Sequence, residues 1–204
     1  MIGDWTIQHL PRCTHHAFLS HCAEDRNRLA RPIFDRLSAA YYSIWFDEHD
    51  YPAGQGAFEA LREGIVHCRH VVHLVTAKFL GQGRGWNSVE NAYSALLQEN
   101  LRFSSLEICH IHLPLFFVPP SHPVLRRSAW APHLHRGRFY PAGRVDDDAV
   151  EWTVGEIIEF IREKERRGVA LAEQLQNDPG AQKLLTSEPN LLRRVMCADP
   201  VPLP

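Results

Sequence analysis

Apolar residues in this chain occur in short compact runs, separated by longer stretches in which they recur every three or four positions. The compact runs are typical of buried strands and the longer stretches of helices with one apolar face. Five strands are predicted: Thr14–Ser20, Ser43–Phe46, Val71–Val75, Ile108–Val118 and Arg138–Tyr140. The third run is apolar on both faces, as expected of a central parallel strand. Pro114 suggests that the fourth strand breaks early or lies at the sheet edge.

The helical spacing of apolar residues predicts a helix between most pairs of consecutive strands. Helices are expected up to Ala40, over Phe58–Cys68, Trp86–Asn100 and Val150–Arg167, with shorter pieces at Ala170–Gln176 and Ala181–Met196. Pro32 suggests that the first helix starts late or bends. Because strands alternate with helices, the predicted fold class is α/β, with a doubly wound parallel sheet and helices on both faces.

Three parts of the chain are expected from the pattern. Residues 1–13 form a lead-in, and residues 14–167 form one domain with an irregular insertion near 119–137. Residues 168–204 form a C-terminal helical appendage with a proline-rich tail. The 204 residues are therefore interpreted as one domain of ordinary size with an appendage.

Composition excludes several classes of protein. A net charge of −2 provides no basic field for nucleic acid or for an anionic membrane surface. No apolar run reaches the ~20 residues of a membrane span, and Met1–Cys13 lacks the apolar core of a signal peptide. The five cysteines are scattered and never spaced as a pair of metal ligands, which favours free thiols in a reducing compartment. We expect a cytoplasmic protein without nucleic-acid or membrane partners.

The predicted helix over Trp86–Asn100 carries the strongest candidate for chemistry. It follows the glycine-rich segment Gly81–Gly85, and Glu90 lies one turn after Trp86, so the two side chains share a patch of surface. A carboxylate beside an indole, next to a loop that can admit a ligand, suits a catalytic site. The alternative is an exposed glutamate in the first helical turn, favoured there by the helix dipole.

Three sequence motifs resemble those of Toll/interleukin-1 receptor (TIR) domains. The run Ala17-Phe18-Leu19-Ser20-His21, followed by Ala23-Glu24-Asp25, is similar to the first TIR box. The run Trp45-Phe46-Asp47, followed by Pro52-Ala53-Gly54, resembles the second strand and its BB loop. Trp86-x-x-x-Glu90 is similar to the signature of TIR domains that hydrolyse NAD. The resemblance covers roughly residues 14–165, and the third TIR box is not evident near Phe139-Tyr140.

The resemblance implies a flavodoxin-like sheet in the order 2-1-3-4-5. In such sheets, ligands bind at the carboxyl ends of the strands where the winding reverses, here between the first and third strands. Glu90 is the catalytic residue that the resemblance implies. The substrate-binding residues expected around this point are Ser20, His21, Arg26, Trp45, Asp47 and Trp86. Arg26 is the candidate for the adenylate end of NAD.

The implied activity is that of an NAD glycohydrolase or cyclase, which cleaves the nicotinamide–ribose bond. Nicotinamide leaves as a neutral molecule, so a carboxylate is needed to stabilise positive charge on the ribose and not to donate a proton. NAD is then the substrate, and no cofactor is expected. No metal site is expected either, because His67, His70 and His73 share no ligand face.

Self-association and signalling are the remaining expectations. The resemblance implies contacts between copies through the BB loop, Asp47 to Gly56. TIR-only proteins of bacterial antiphage defence resemble this chain and make ADP-ribose-derived signals for a separate effector. The alternative is a non-enzymatic TIR adaptor that acts by TIR–TIR contacts, for which Glu90 would not be needed.

Overall fold

A five-stranded parallel sheet forms the centre of the protein. The computed structural model describes residues 14–47, 60–61, 64–65, 67–82, 111–127, 134–135 and 137–177; in 82, 111–112 and 167–177 it describes the backbone alone. The strands are β1 His15–Ser20, β2 Ile44–Trp45, β3 Cys68–Val75, β4 Ile111–Phe116 and β5 Arg138–Phe139. Every pairing is parallel, and the order is β2-β1-β3-β4-β5. The predicted flavodoxin-like α/β fold is confirmed.

Four α-helices are described beside this sheet. They are α1 Arg31–Ala39, α2 Ala77–Gln82, α3 Pro123–Arg127 and α4 Ala149–Asn177. A 3₁₀ turn at Ala23–Asp25 and a π turn at Arg26–Ala30 precede α1. Pro32 lies in the first turn of α1, directly after the π turn, so the regular α-helix starts late within a helical segment that begins at Arg26, as Pro32 predicted.

The prediction that Pro114 marks a break or an edge strand is wrong. Pro114 lies inside β4, opposite His73 of β3, and β4 lies between β3 and β5. The ladder to β5 begins only at Leu115, which pairs with Arg138. One side of Pro114 therefore has no ladder partner, and a missing N–H group is tolerated there.

Three helical predictions also need correction. The segment after β3 was expected to be a loop, but α2 occupies it as far as Gln82. The region near 119–137 contains the short helix α3. The backbone of α4 continues through Gly168 to Asn177, where separate pieces were predicted. A glycine inside a helix costs only about 1 kcal/mol relative to alanine, so it need not end one.

Strand β3 begins three residues before the predicted Val71. Arg69 and His70, which are polar, belong to the strand and are buried. The apolar pattern could not reveal them, because their burial depends on a partner carboxylate, Glu165, that lies on α4. Between β2 and β3, residues 60–61 and 64–65 are helical, within the helix predicted over Phe58–Cys68.

Apolar clusters lie on both faces of the sheet. One face packs against α1 and α4, through residues that include Ile33, Leu37, Ile157 and Ile161. The other face carries a smaller cluster of Phe18, Trp45, Ile65, Cys68 and Val71. A third cluster, which includes Val75, Phe79, Phe116 and Leu125, covers the region of α2 and α3. The sheet is thus enclosed between helices, and its strand ends are the parts open to a ligand.

The search for membrane spans gave a negative result. Among the residues that the structure describes, no helix combines the length and the apolar character that crossing a bilayer requires.

Candidate functional site

The carboxyl ends of β1, β2 and β3 meet at one edge of the sheet. The chain leaves β1 at Ser20 and His21, leaves β2 towards Asp47, and leaves β3 at Thr76. The order β2-β1-β3 puts the reversal of winding between β1 and β3, which is the usual ligand position in open parallel sheets. This edge is therefore the candidate site.

Arg26 and Asp47 form an ion pair across this edge. Nη2 of Arg26 donates to Oδ2 of Asp47 at 2.7 Å. The two side chains are 36% and 24% exposed, so solvent screens their attraction, and such a pair contributes about 0–1 kcal/mol to stability. Arg26, the candidate for the adenylate end, thus has its charge offset by a carboxylate. The pair fixes the direction of that carboxylate more than it stabilises the fold.

His21 packs beside this pair with its ring almost completely buried. Its Nε2 lies 3.7 Å from Oδ1 of Asp47, and its Nδ1 lies 3.1 Å from the carbonyl oxygen of Leu19. The ring centroid lies 5.2 Å from that of Phe46, which stacks on Phe34 of α1. Burial lowers the pKa of His21, and the nearby Asp47 only partly opposes this shift. His21 is therefore neutral at physiological pH.

The structure brings His21, Arg26 and Asp47 together, and we call them the carboxyl-edge cluster. Ser20 is almost fully buried, and its register partner is His73 of β3. As consecutive strand residues alternate between faces, Ser20 points away from His21. Its hydroxyl has no hydrogen-bond partner among the residues that the structure describes. Its predicted contact with substrate stays a prediction.

Trp45 lies in the apolar cluster on the sheet face away from α1. Its indole stacks on Phe18 with ring centroids 4.5 Å apart, and its residue exposure is 4%. A methyl group on Gly64 would overlap the indole, so this glycine permits the close packing of a helical residue on Trp45. Trp45 is not part of the carboxyl-edge cluster, and its predicted role in substrate binding is untested.

Two residues that sequence reasoning missed join β1 and β3 at the same edge. Asp25 is buried, and its Oδ2 accepts a hydrogen bond of 2.5 Å from the hydroxyl of Thr76. Thr76 Oγ1 also accepts from the backbone N–H of Phe79 at 3.1 Å and so caps the first turn of α2. Nζ of Lys78 lies 3.7 Å from the other carboxylate oxygen of Asp25.

The capping preference of threonine was the signal that could have located this network. Thr76 immediately precedes α2, which is the position where threonine favours a helix start. The partner Asp25 lies 51 residues away, and no local pattern predicts such a contact. The network holds the loop after β1 against the start of α2, so it positions the candidate site.

The two remaining predicted site residues, Trp86 and Glu90, lie outside the described residues, as does most of the BB loop. Their roles therefore stay predictions. In the described ranges, no group of three or more histidine, cysteine, aspartate and glutamate side chains is arranged to hold a metal ion. In the carboxyl-edge cluster, the buried polar atoms without a hydrogen-bond partner among the described residues are two acceptors, His21 Nε2 and Asp47 Oδ1, and one donor, Arg26 Nε.

Comparison with known proteins gives a family match and a match to a solved structure. The model of the family described as TIR domain matches residues 17–131, which is more than half of the 204 residues. No curated protein matches the chain. A metazoan TIR-STING receptor from C. gigas, solved in complex with 2',3'-cGAMP, is similar at 20% identity with a TM-score of 0.49. The match covers 72% of this chain and 39% of that one, so the chain spans about two-fifths of the receptor's length.

Proposed function

Because this chain belongs to the TIR domain family, we propose that it cleaves the nicotinamide–ribose bond of NAD, with Glu90 as the catalytic residue. The observation that carries the proposal is the motif Trp86-Asn87-Ser88-Val89-Glu90, which lies inside the matched residues 17–131. An adaptor that acts only through contacts between TIR domains does not need a glutamate at this position.

The reaction needs a negative charge more than it needs an acid. The C–N bond breaks with its electron pair on nicotinamide, whose ring nitrogen was positively charged and becomes neutral. The ribose is left with positive charge on its ring oxygen and anomeric carbon, as in the hydrolysis of glycosides. A fixed carboxylate close to that carbon stabilises the charge electrostatically. Water then attacks the carbon and loses a proton, or an atom of the same nucleotide attacks and closes a cycle.

The sheet supports this assignment through its topology. In sequence, Glu90 follows β3 and α2, which leave the sheet at the edge that carries His21 and Asp47. Parallel α/β folds bind ligands at this edge because the loops there diverge and leave a crevice. The carboxyl-edge cluster supplies polar groups for the hydroxyls or the phosphates of a nucleotide.

The test is the release of free nicotinamide from NAD by the purified protein. We expect turnover by the wild-type protein and a loss of at least about 100-fold in Glu90→Gln, the scale found when one charge-stabilising group is removed. The melting curve should stay close to that of wild type, since a carboxylate near a helix start contributes under about 1 kcal/mol.

A matched control is Glu99→Gln. Glu99 lies nine residues after Glu90 on the same predicted helix, a spacing that puts it on the opposite face. This variant should retain wild-type turnover. Equal turnover by the Glu90 and Glu99 variants would overturn the catalytic assignment. Failure of the wild-type protein to release nicotinamide would favour the adaptor.

We further propose that the active form is self-associated, through the segment from Asp47 to Gly56 that resembles a BB loop. Self-association is a common property of TIR domains. A segment with Gly54 and Gly56 is costly to order alone, by roughly 1–2 kcal/mol per fixed residue, and a neighbouring copy can offset that cost. Specific activity should rise between nanomolar and micromolar protein. A flat response from a protein that light scattering shows to be monomeric would contradict this.

The proposed product is a linear, cyclic or conjugated ADP-ribose that acts as a signal for a separate effector in antiphage defence in the cytoplasm. The support is the likeness of the motifs to TIR-only defence proteins. Chromatography of the reaction mixture with mass measurement of the nucleotide product tests this directly. A product with no action on any effector of a defence system encoded beside it would contradict the signalling role.

A further inference from the structure

Two hydrogen-bond acceptors face each other in the carboxyl-edge cluster. Nδ1 of His21 lies 3.1 Å from the carbonyl oxygen of Leu19. A carbonyl oxygen can only accept, so Nδ1 carries the proton and donates it. In the neutral ring, Nε2 therefore presents a lone pair. Burial lowers the pKa of His21, which keeps the ring in this neutral form at physiological pH.

Asp47 supplies the second acceptor. Its Oδ2 accepts from Arg26 at 2.7 Å, and its Oδ1 lies 3.7 Å from His21 Nε2. Within the described part of the chain, neither Nε2 nor Oδ1 has a hydrogen-bond partner, although both atoms are buried. Two acceptors cannot satisfy each other, and buried acceptors without a donor are destabilising. Among the described residues, the pair therefore lacks a group that donates to it.

We propose that His21 Nε2 and Asp47 Oδ1 form a two-point site for the vicinal hydroxyl groups of a ribose. The 2-hydroxyl donates its proton to the imidazole nitrogen and the neighbouring 3-hydroxyl donates to the carboxylate oxygen. Arg26 acts as a positioning residue, because its bond to Oδ2 turns Oδ1 towards His21. The choice of a nucleotide as the source of the diol rests on the proposed function.

The spacing of the acceptors favours a diol over an amine or an amide. One amino group donates in directions about 110–120° apart, and at the usual N···O distance of ~2.9 Å its two acceptors would lie near ~5 Å apart. The observed separation is 3.7 Å. Two hydroxyls on adjacent carbons lie side by side and can donate in nearly parallel directions, which suits acceptors this close. A cation is a poorer occupant, because Arg26 already offsets the charge of Asp47.

The experiment measures equilibrium binding of ADP-ribose by calorimetry. ADP-ribose has no nicotinamide–ribose bond, so its binding can be measured whether or not the protein cleaves NAD. Two analogues, each lacking the 2-hydroxyl of one of the two riboses, show which ring occupies the site. We expect wild-type protein to bind one analogue about tenfold more weakly than ADP-ribose, as the loss of one hydrogen bond to a buried group predicts.

His21→Phe is the diagnostic variant, because phenylalanine keeps a ring beside Phe46 but has no acceptor. It should bind ADP-ribose about tenfold more weakly than wild type and no longer distinguish the analogue. The matched control is His135→Phe. His135 is exposed and precedes β5, at the amino edge of the sheet, so this variant should retain both the affinity and the discrimination.

A second variant keeps the test decisive if His21→Phe does not fold. In Asp47→Asn the side-chain amide can donate to His21 Nε2, which fills the acceptor and leaves nothing for the ligand. This variant should also lose discrimination. The inference would be overturned if either folded variant still bound the analogue more weakly than ADP-ribose by the wild-type factor. It would also be overturned if wild-type protein bound both analogues as tightly as ADP-ribose, or bound neither ADP-ribose nor the analogues.

The outcomes separate this inference from the proposed function. If wild-type protein cleaves NAD, and His21→Phe still distinguishes ADP-ribose from the analogue as well as wild type does, the proposed diol site is wrong and the proposed activity stands. If the protein does not cleave NAD, but distinguishes ADP-ribose from the analogue only when His21 is present, the proposed activity is wrong and the proposed diol site stands.

Discussion

Two clusters in this protein each combine an arginine, a histidine and a carboxylate, and they use these groups in opposite ways. At the carboxyl edge of the sheet, Arg26, Asp47 and His21 surround an incomplete hydrogen-bonding site. At the amino end of β3, Arg69 and His70 face Glu165 of the long helix α4. The first arginine and carboxylate are 36% and 24% exposed, and the second are 4% and 8% exposed.

Burial gives the two clusters different roles. Arg69 donates a hydrogen bond to Glu165 from a buried guanidinium, and His70 Nε2 lies 3.8 Å from the same carboxylate. His70 also packs edge-on against Phe160, within the apolar layer between the sheet and α4. Charges withdrawn from water in this way tie a helix to a strand. The carboxyl-edge cluster retains contact with solvent and keeps two acceptors for another group. The same three chemical groups therefore do not indicate the same function.

The largest effect should follow loss of the buried carboxylate. Glu165→Ala leaves the Arg69 guanidinium buried without its counter-charge, which destabilises a protein by about 3–5 kcal/mol. Urea unfolding measured by circular dichroism gives the free energy of unfolding. The control is Glu159→Ala on the same helix, where the carboxylate is 69% exposed and Glu156 also binds Arg138, and a loss of about 0–1 kcal/mol is expected.

A double replacement sharpens this result. Arg69→Met combined with Glu165→Leu removes both charges and fills similar volume with apolar atoms, and such exchanges are often neutral or stabilising. We expect it to recover most of the stability lost in Glu165→Ala. Recovery would show that the cluster ties α4 to the sheet without any need for charge. Instability equal to that of Glu165→Ala would instead show a role for the ions themselves.

An intermediate effect is expected from pH. Burial lowers the pKa values of His70 and His16 below the ordinary 6.5. Burial alone would raise the pKa of Glu165, but its contacts with His70 and Arg69 outweigh this and lower it from 4.5. In each case the unfolded chain binds more protons than the folded one as the pH falls. Stability is thus complete above about pH 7 and declines first through the histidine range and then below pH 4.5.

Replacement of one buried histidine should flatten this decline. The slope from one such group is at most about 1.4 kcal/mol per pH unit. His70→Gln should therefore lose less stability than wild type between pH 7 and pH 5. His135→Gln, a change at an exposed position, should follow the wild-type curve. Parallel curves for wild type and His70→Gln would show that His70 does not titrate as its burial predicts.

The smallest effect on stability should come from the carboxyl-edge cluster. Asp47→Ala removes a partly exposed ion pair, so the free energy of unfolding should change by about 0–1 kcal/mol. The same unfolding measurement used for Glu165→Ala makes the two values directly comparable. A loss as large as that in Glu165→Ala would mean that both clusters are structural, and the contrast drawn between them would fail.

Local pattern predicted the architecture because local physics controls it. The apolar runs at Thr14–Ser20 and Ser43–Phe46 became β1 and β2, and the helix predicted from Val150 became α4, which begins one residue earlier at Ala149. The order of the strands came from the motifs that resemble TIR domains, and the structure confirmed it. The expected site residues Ser20, His21, Trp45 and Asp47 lie at the ends of these strands or within two residues of them, and Arg26 begins the π turn that follows β1.

By itself, the sequence determined the fold class, the family and the motif that carries the proposed chemistry, because apolar periodicity and motif spacing are properties of neighbouring residues. Only the tertiary structure decided which polar residues are buried together. It joined Asp25 to Thr76 and Arg69 to Glu165, and it separated Trp45 from the carboxyl-edge cluster. These contacts link residues far apart in the chain. Only after the helices have packed on the sheet is it decided which charges are buried in ion pairs and which acceptors are left without a donor.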